Sequence, residues 1–310
     1  MLSVIIPAYQ EEEMIPITAK TVSEILRDAQ IPYELIFVND GSKDGTWDNI
    51  VTASKEIDGV RGVSFSKNFG KEAAMMAGLA YAKGDASVII DCDLQHPPEK
   101  IVEMYRLWEQ GYKVVEGVKT SRGKEGPFHK LAAGMFYNII SHATGIDMRN
   151  ASDFKLMDRE VVETIRKMPE RQFFFRAISS WVGFKSATVE FEVQERQQGT
   201  SKWSVKSLTR YAVTNITSFS SAPLQLVTLS GVVFLIFALI LAVQTLVKFV
   251  TGDAMEGFTT VIMLQLISSS ILMLAIGIIG YYVAKIYDEV KGRPRYIVET
   301  EIGETNAEDN

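Results

Sequence analysis

An α/β domain on a mostly parallel sheet, followed by an interfacial helix and two transmembrane helices, is the fold class this 310-residue sequence predicts. Three observations carry that expectation. The first 120 or so residues alternate short β-branched runs with helical stretches, carboxylates recur just after the strands, and the apolar residues concentrate in two uncharged windows near the C-terminus. The totals, 47% hydrophobic and 23% charged, are those of an ordinary soluble chain, and it is the concentration of the apolar residues that sets this one apart. A single cysteine, Cys92, excludes a disulfide scaffold and a structural zinc site. Thirty-eight acidic against 32 basic residues, a net charge of -6, argue against a nucleic-acid partner.

In chain order, Leu2–Pro7, Tyr33–Val38, Val60–Ser66, Ala86–Ile90 and Lys113–Val118 read as strands. Between them Glu11–Ala29, Gly45–Glu56, Gly70–Ala82 and Pro98–Gln110 read as helices. Such alternation makes a parallel sheet covered on both faces, whose ligands bind at the carboxyl ends of the strands.

No charge occurs from Tyr211 to Val247 or from Gly257 to Ala284. Val227–Val247 would span about 31 Å at ~1.5 Å per residue, the thickness of a bilayer core, and Val261–Ala284 is of similar length. The connector holds Asp253 and Glu256 and no base, whereas Lys202, Lys206 and Arg210 precede the first span and Lys285, Lys291, Arg293 and Arg295 follow the second. Positive flanks stay inside, so both termini are expected in the cytoplasm at the cell membrane. Met1–Ala8 has no basic region or cleavage site and is not a signal peptide. The expected division is a cytoplasmic domain over 1–202, an amphipathic interfacial helix over 203–222, two membrane helices over 223–286 with a short outer loop near 251–260, and an acidic cytoplasmic tail over 287–310. That tail holds five acids and no base from Tyr296 onward, so the rest is nearly neutral, with 33 acidic and 32 basic residues.

The strand ends carry the chemistry. Pro7-Ala8-Tyr9-Gln10-Glu11 follows the first strand, Asn39-Asp40-Gly41-Ser42 the second, Lys67-Asn68-Phe69-Gly70-Lys71 the third, and Asp91-Cys92-Asp93-Leu94-Gln95-His96 the fourth. Taken singly, Asp-Gly-Ser is an ordinary turn. Gly70-Lys71 lacks phosphate-loop spacing, and no G-x-G-x-x-G occurs. Asp91 and Asp93, one residue apart after a buried strand, would repel unless they shared a hard divalent ion, which in turn neutralises a diphosphate.

The ordered segments VIIPAYQEEE, FVNDGSKDGT, NFGKEAAMMAGL, DCDLQHPPE, SDFKLMDR and RQQGTSKWS resemble the polyprenyl-phosphate glycosyltransferases of glycosyltransferase family 2, in the bacterial two-span branch. The resemblance runs from Leu2 to about Ser204 and implies a GT-A catalytic domain. It implies that Pro7, Tyr9, Glu11 and Asp40 contact the nucleoside, that Lys71 and Asp91 complete the nucleotide pocket, and that Asp93, with Asp91 and Gln95, holds Mg2+ or Mn2+. The family usually has Asn where this chain has Gln10, which puts any contact at that position in doubt.

The implied reaction inverts the anomeric carbon, moving a sugar from a UDP-sugar to polyprenyl (undecaprenyl) phosphate at the bilayer, with glucose the first expectation and an N-acetylhexosamine or another sugar the alternative. A phosphomonoester is largely ionised at neutral pH, so the acceptor needs positioning more than deprotonation. Candidate cations for it are Lys119, Arg122, Lys130, Arg196 and Lys202. Arg196 and Lys202 lie on a Gly-containing loop able to close over both phosphates. Asp153 matches the acceptor-side carboxylate and is expected to orient, with base catalysis or a helix or turn cap as the other readings. Phe173–Phe175, Trp181 and Phe184 suit either lipid access or a core helix. Resemblance also implies a homo-oligomer, a tetramer. A processive polysaccharide synthase needs more spans and a Q-x-x-R-W motif, absent here, and a nucleotidyltransferase leaves the basic loop without a role.

Overall fold

The computed structural model describes residues 1–121, 152–168, 175–176, 181–192, 222–251 and 257–303. Contacts divide the chain into two units: Met1–Val205 with Pro294–Asn310, and Lys206–Arg293.

The first unit is built on an eight-stranded sheet in the order β7-β5-β6-β4-β1-β2-β3-β8. Its strands are β1 (Leu2–Ala8), β2 (Tyr33–Asn39), β3 (Val60–Phe65), β4 (Ala86–Ile89), β5 (Val114–Ser121), β6 (Lys155–Asp158), β7 (Ser186–Glu192) and β8 (Val298–Ile302). Helices α1 (Met14–Asp28), α2 (Thr46–Glu56), α3 (Lys71–Tyr81), α4 (Lys100–Glu109) and α5 (Arg159–Arg166) complete it. The first five strands and four helices fall within a few residues of their sequence-predicted bounds. β1 pairs in parallel with both β2 and β4, and β2 with β3. β6 runs antiparallel between β4 and β5.

Central strands are buried nearly throughout, as covering on both faces demands. The edges β7 and β8 expose most of their residues instead. A buried ion pair ties the central strands: Glu34 on β2 accepts from Arg61 Nη1 of β3 at 2.7 Å and from Ser3 Oγ of β1 at 2.6 Å. These bonds satisfy charges whose desolvation is otherwise expensive.

The C-terminal region departs from its expected form. The last helix runs to Val290, and Val298–Ile302 of the expected tail pairs antiparallel with β3 and closes the sheet. The acids read as a solvated tail include Glu299 and Glu301, exposed on an edge strand, where charge discourages pairing with another chain. Ile302 lies opposite Gly62. A Cβ on Gly62 would stand 2.6 Å from Ile50 Cγ2 and 2.9 Å from Ile302 Cγ1, so the missing side chain lets β8 and α2 approach β3 together.

The second unit holds α6 (Ala222–Thr251) and α7 (Phe258–Val290), both long and apolar enough to cross a membrane. They coincide with the two uncharged windows, and Leu235, Ile240, Val243, Leu266 and Met273 are exposed on them, unlike the residues of a soluble core. The expected interfacial helix lies, apart from its last residue, outside the described residues.

Replacing Gly62 by Val should cost about 1–3 kcal/mol by overpacking, seen as a lower thermal unfolding midpoint of the purified full chain. An unchanged midpoint would mean that β8 yields without cost.

Candidate functional site

The site forms where β1, β2 and β4 end together. Their loops are stitched by local hydrogen bonds: Asp40 donates its N–H to Ala8 O at 2.9 Å, Gln10 N–H to Ser42 Oγ at 3.0 Å, Ser42 N–H to Asn39 Oδ1 at 3.1 Å, and Glu11 N–H to Thr46 Oγ1 at 3.0 Å. Pro7 is partly buried and Tyr9 is 45% exposed, leaving its ring available to a ligand. Gln10 has φ 56°, a left-handed conformation that Asn adopts more readily than Gln. The family's preference for Asn at this position therefore has a backbone reason that needs no ligand contact.

Asp40 is buried and spans two loops. Its Oδ1 accepts the Phe69 N–H at 2.6 Å and its Oδ2 the Gly70 N–H at 2.9 Å. Burial raises its pKa, and the two amides partly offset the rise. Gly41 follows at φ 63°, where a Cβ would collide with the backbone of Lys67 and would lie 2.6 Å from Asn68 N. A side chain at 41 is thus excluded by both conformation and space.

A charge cluster occupies the next position along the sheet. Lys71 Nζ, at the start of α3, lies 2.5 Å from Asp91 Oδ1 and 2.8 Å from Asp153 Oδ2. Arg176 adds a fork onto Asp153, Nε to Oδ1 at 2.7 Å and Nη2 to Oδ2 at 3.0 Å. Burial alone would raise the pKa of Asp153, but Lys71 and Arg176 outweigh it and hold the carboxyl far below the usual carboxylate range. Burial is likewise overcome at Asp91, which Lys71 keeps below its ordinary value, and at Lys71, which the two carboxylates hold above its own. Lys119 is drawn into the same field: burial lowers it first, then the Arg176 charge.

Asp91, Asp93 and Gln95 alternate with the buried Cys92, Leu94 and His96, so the three oxygen-bearing side chains share the open side of the loop. Leu94 takes φ 52° inside this run, and Gln95 N–H donates to Asp93 Oδ1 at 3.2 Å. Among the described residues no group of three or more His, Cys, Asp or Glu side chains is gathered for a metal. As oxygen donors Asp91, Asp93 and Gln95 suit a hard ion that takes one or two carboxylates here and its other oxygens from a phosphate ligand or water, as Mg2+ commonly does. His96 stands behind them, stacked on Phe154 at 5.2 Å, with Nδ1 3.9 Å from Asp91 Oδ2. Burial lowers its pKa, so it is neutral at pH 7.

Arg176 and Glu72 were not foreseen from sequence. Phe175 is fully buried and donates its N–H to Glu72 Oε2 at 3.0 Å, while Lys155 Nζ donates to Arg176 O at 3.2 Å. Buried Lys155 also lies 3.1 Å from Glu116 Oε1. A lysine within the apolar strand Phe154-Lys155-Leu156-Met157 was the available sign of such an inner polar network. Phe175 thus falls on the core side of the two readings offered for the aromatic run, and Trp181 is 66% exposed. The cap of α5 is Asp158, whose Oδ1 accepts the Glu160 N–H, so Asp153 does not cap that helix. Arg122, Lys130, Arg196 and Lys202 lie outside the described residues.

Residues 3–166 match the family described as Glycosyl transferase family 2. The chain is 40% identical to "Uncharacterized glycosyltransferase YkcC" of Bacillus subtilis (strain 168), over 98% of this chain and 95% of that protein. It is 38% identical to "Prophage bactoprenol glucosyl transferase homolog" of Escherichia coli (strain K12), over 96% and 98%, and 37% identical to "Bactoprenol glucosyl transferase" of Shigella phage SfV, over 97% and 98%. Among solved structures, glucosyl-3-phosphoglycerate synthase from Mycobacterium tuberculosis in complex with Mg2+ and UDP superposes with TM-score 0.52 at 22% identity, covering 71% of this chain and 79% of that one. That likeness concerns the fold.

Glu72 supplies a pH test. Desolvation first, then the Asp153 charge, push its carboxyl up to about 8. A carboxyl raised in the fold binds more protons there than in the unfolded chain, so stability declines as pH rises from its unfolded value near 4.5 through about 8. Glu72→Gln should therefore gain in melting temperature over the parent at pH 9 relative to pH 6. Equal differences at both pH values would show that Glu72 does not titrate in that window.

Proposed function

This chain belongs to glycosyl transferase family 2, and from that premise we propose that it moves glucose from UDP-glucose to a polyprenyl phosphate with inversion, yielding a lipid-linked monosaccharide. The observation that carries this reading is the state of Asp153. Both its oxygens are occupied by Lys71 and Arg176, and its pKa is depressed, so it is a poor proton acceptor. A sugar hydroxyl would need a base, whereas an ionised phosphate does not. The site therefore suits a phosphate nucleophile and disfavours a polysaccharide synthase. Near-full-length similarity to proteins named bactoprenol glucosyl transferase supports the same acceptor and sugar. An N-acetylhexosamine donor is the alternative.

In this reading Pro7, Tyr9, Glu11 and Asp40 hold the nucleoside, and Asp91, Asp93 and Gln95 hold Mg2+ or Mn2+. Such an ion, when bound, offsets charge on the departing diphosphate. Lys71 and Asp91 frame the nucleotide's phosphates. Asp153 is a positioning group for Arg176 and Lys71, and Lys119 and Arg176 present positive charge to the acceptor, joined by Arg122, Lys130, Arg196 and Lys202.

Chain order supports the membrane placement. β3 precedes both apolar helices and β8 follows them, yet the two strands share one sheet. With α6 and α7 crossing the bilayer, the catalytic domain and the C-terminal segment lie on one side, and the basic flanks make that side the cytoplasm. A homo-oligomer, tetrameric by resemblance, belongs to the same proposal.

Incubating the full chain with UDP-glucose and undecaprenyl phosphate should give one lipid product heavier by a single hexose. Asp93→Ala should abolish it while UDP binding partly survives through Asp40. A polymeric product sinks the reading, and full activity of the variant removes the metal role. With the lipid phosphate as ionised nucleophile, activity should fall as pH drops below about 6, its second pKa. A rate still constant at pH 5 would contradict an acceptor that must be dianionic.

A further inference from the structure

The segment after α7 does more than close the sheet. Pairing between β3 and β8 shifts register between Ser64 and Phe65, and the chain entering β8 continues beside the end of β3, where Ser66 N–H donates to Ile297 O at 3.1 Å. One residue earlier, the Tyr296 ring stacks on Phe65 at 4.9 Å between centroids with 13° between planes. Arg295 Nη2 donates to Met168 O at 2.7 Å and holds the same segment from its other end.

Phe65 is almost fully buried and meets Phe69 edge to face at 5.8 Å and 89°. Phe69 and Gly70 are the residues whose amides clamp the Asp40 carboxylate. Across the turn, Lys67 Nζ stands 5.1 Å over the Phe69 ring, and the Lys67–Asn68 backbone abuts Gly41. Tyr296 thus backs a continuous series of contacts through Phe65 and Phe69 to Asp40. Stacked aromatic pairs have a preferred geometry as well as bulk, so the tyrosine constrains where the 67–70 turn can sit.

We propose that Tyr296 is a positioning residue for the sugar nucleotide: through Phe65 and Phe69 it fixes the turn that orients Asp40, so the C-terminal segment sets donor affinity. The inference rests on the reading of Asp40 as a nucleoside contact. A purely architectural role for Tyr296 makes a different forecast. Loss of fold lowers the active fraction and so the apparent kcat, whereas a misplaced turn raises the donor KM with kcat retained at saturation.

The test uses the full chain in detergent, with UDP as binding probe. Tyr296→Ala should raise the UDP Kd and the UDP-glucose KM about 3- to 10-fold, leaving kcat and the lipid KM unchanged, and Tyr296→Phe should match the parent. If Tyr296→Ala does not fold, Tyr296→Leu replaces it, retaining apolar bulk without the stack. Asp40→Ala separates the two ideas. If it weakens UDP binding while the Tyr296 variant leaves Kd unchanged, the positioning role is overturned. If Asp40→Ala binds UDP like the parent, the nucleoside reading fails and the inference falls with it.

Discussion

Two carboxylates converge at one end of the sheet because β4 and β6 are antiparallel neighbours, with Asp91 following the first and Asp153 preceding the second. Left alone they would repel and at least one would take up a proton. Lys71 prevents this by reaching both, at 2.5 and 2.8 Å. An opposite charge at ~4 Å is worth up to about 4 kcal/mol at an effective dielectric near 20, less for Lys71, whose side chain is 41% exposed and screened by water, while removing water from the buried Asp153 costs several kcal/mol. With gain and cost of the same order, the bridge orders the site without locking it. A phosphate group arriving beside Lys71 can take over part of that charge compensation.

That arrangement also decides what kind of nucleophile the site can serve. General bases work when their pKa lies near the operating pH, and the cations around Asp153 drive it the other way. Glu72 is displaced in the opposite sense, to about 8, but it is engaged by the Phe175 amide. His96 is neutral but packed behind Asp91 between Phe154 and Phe191. The resulting surface holds and neutralises anions better than it removes protons, which matches an acceptor already ionised.

Legibility in the sequence followed burial. Strands covered on both faces, such as Val4-Ile5-Ile6 and Ile36-Phe37-Val38, read as continuous apolar runs, and their ends were marked by Asp40 and Asp91. Edge strands carry no such sign. β8 was hidden because Glu299 and Glu301 are what an exposed edge requires, and the same letters spell a solvated tail. Arg176 was hidden differently: its role depends on Lys155 and Asp153 meeting it, and on Glu72 meeting the adjacent Phe175 amide, from distant points in the chain, and no local period encodes such a meeting. At Gln10 the left-handed backbone, invisible in one sequence, supplies a reason for the family's Asn but none for this chain's departure from it.

The order of elements along the chain adds a constraint that the sheet order alone does not display. β8 pairs with β3 across more than 230 residues, and α6 and α7 lie between them in sequence. The central strands can assemble from early contacts, but the edge beside β3 stays open until both apolar helices have been synthesised. Until then Phe65 lacks its Tyr296 partner, and the turn that clamps Asp40 lacks that support. Completion of the catalytic domain is therefore contingent on the apolar hairpin having been made. Because long-range pairing must repay a large loop-closure entropy, anything that restricts where the two helices can go, as a bilayer does, also shortens the search by which β8 finds its edge.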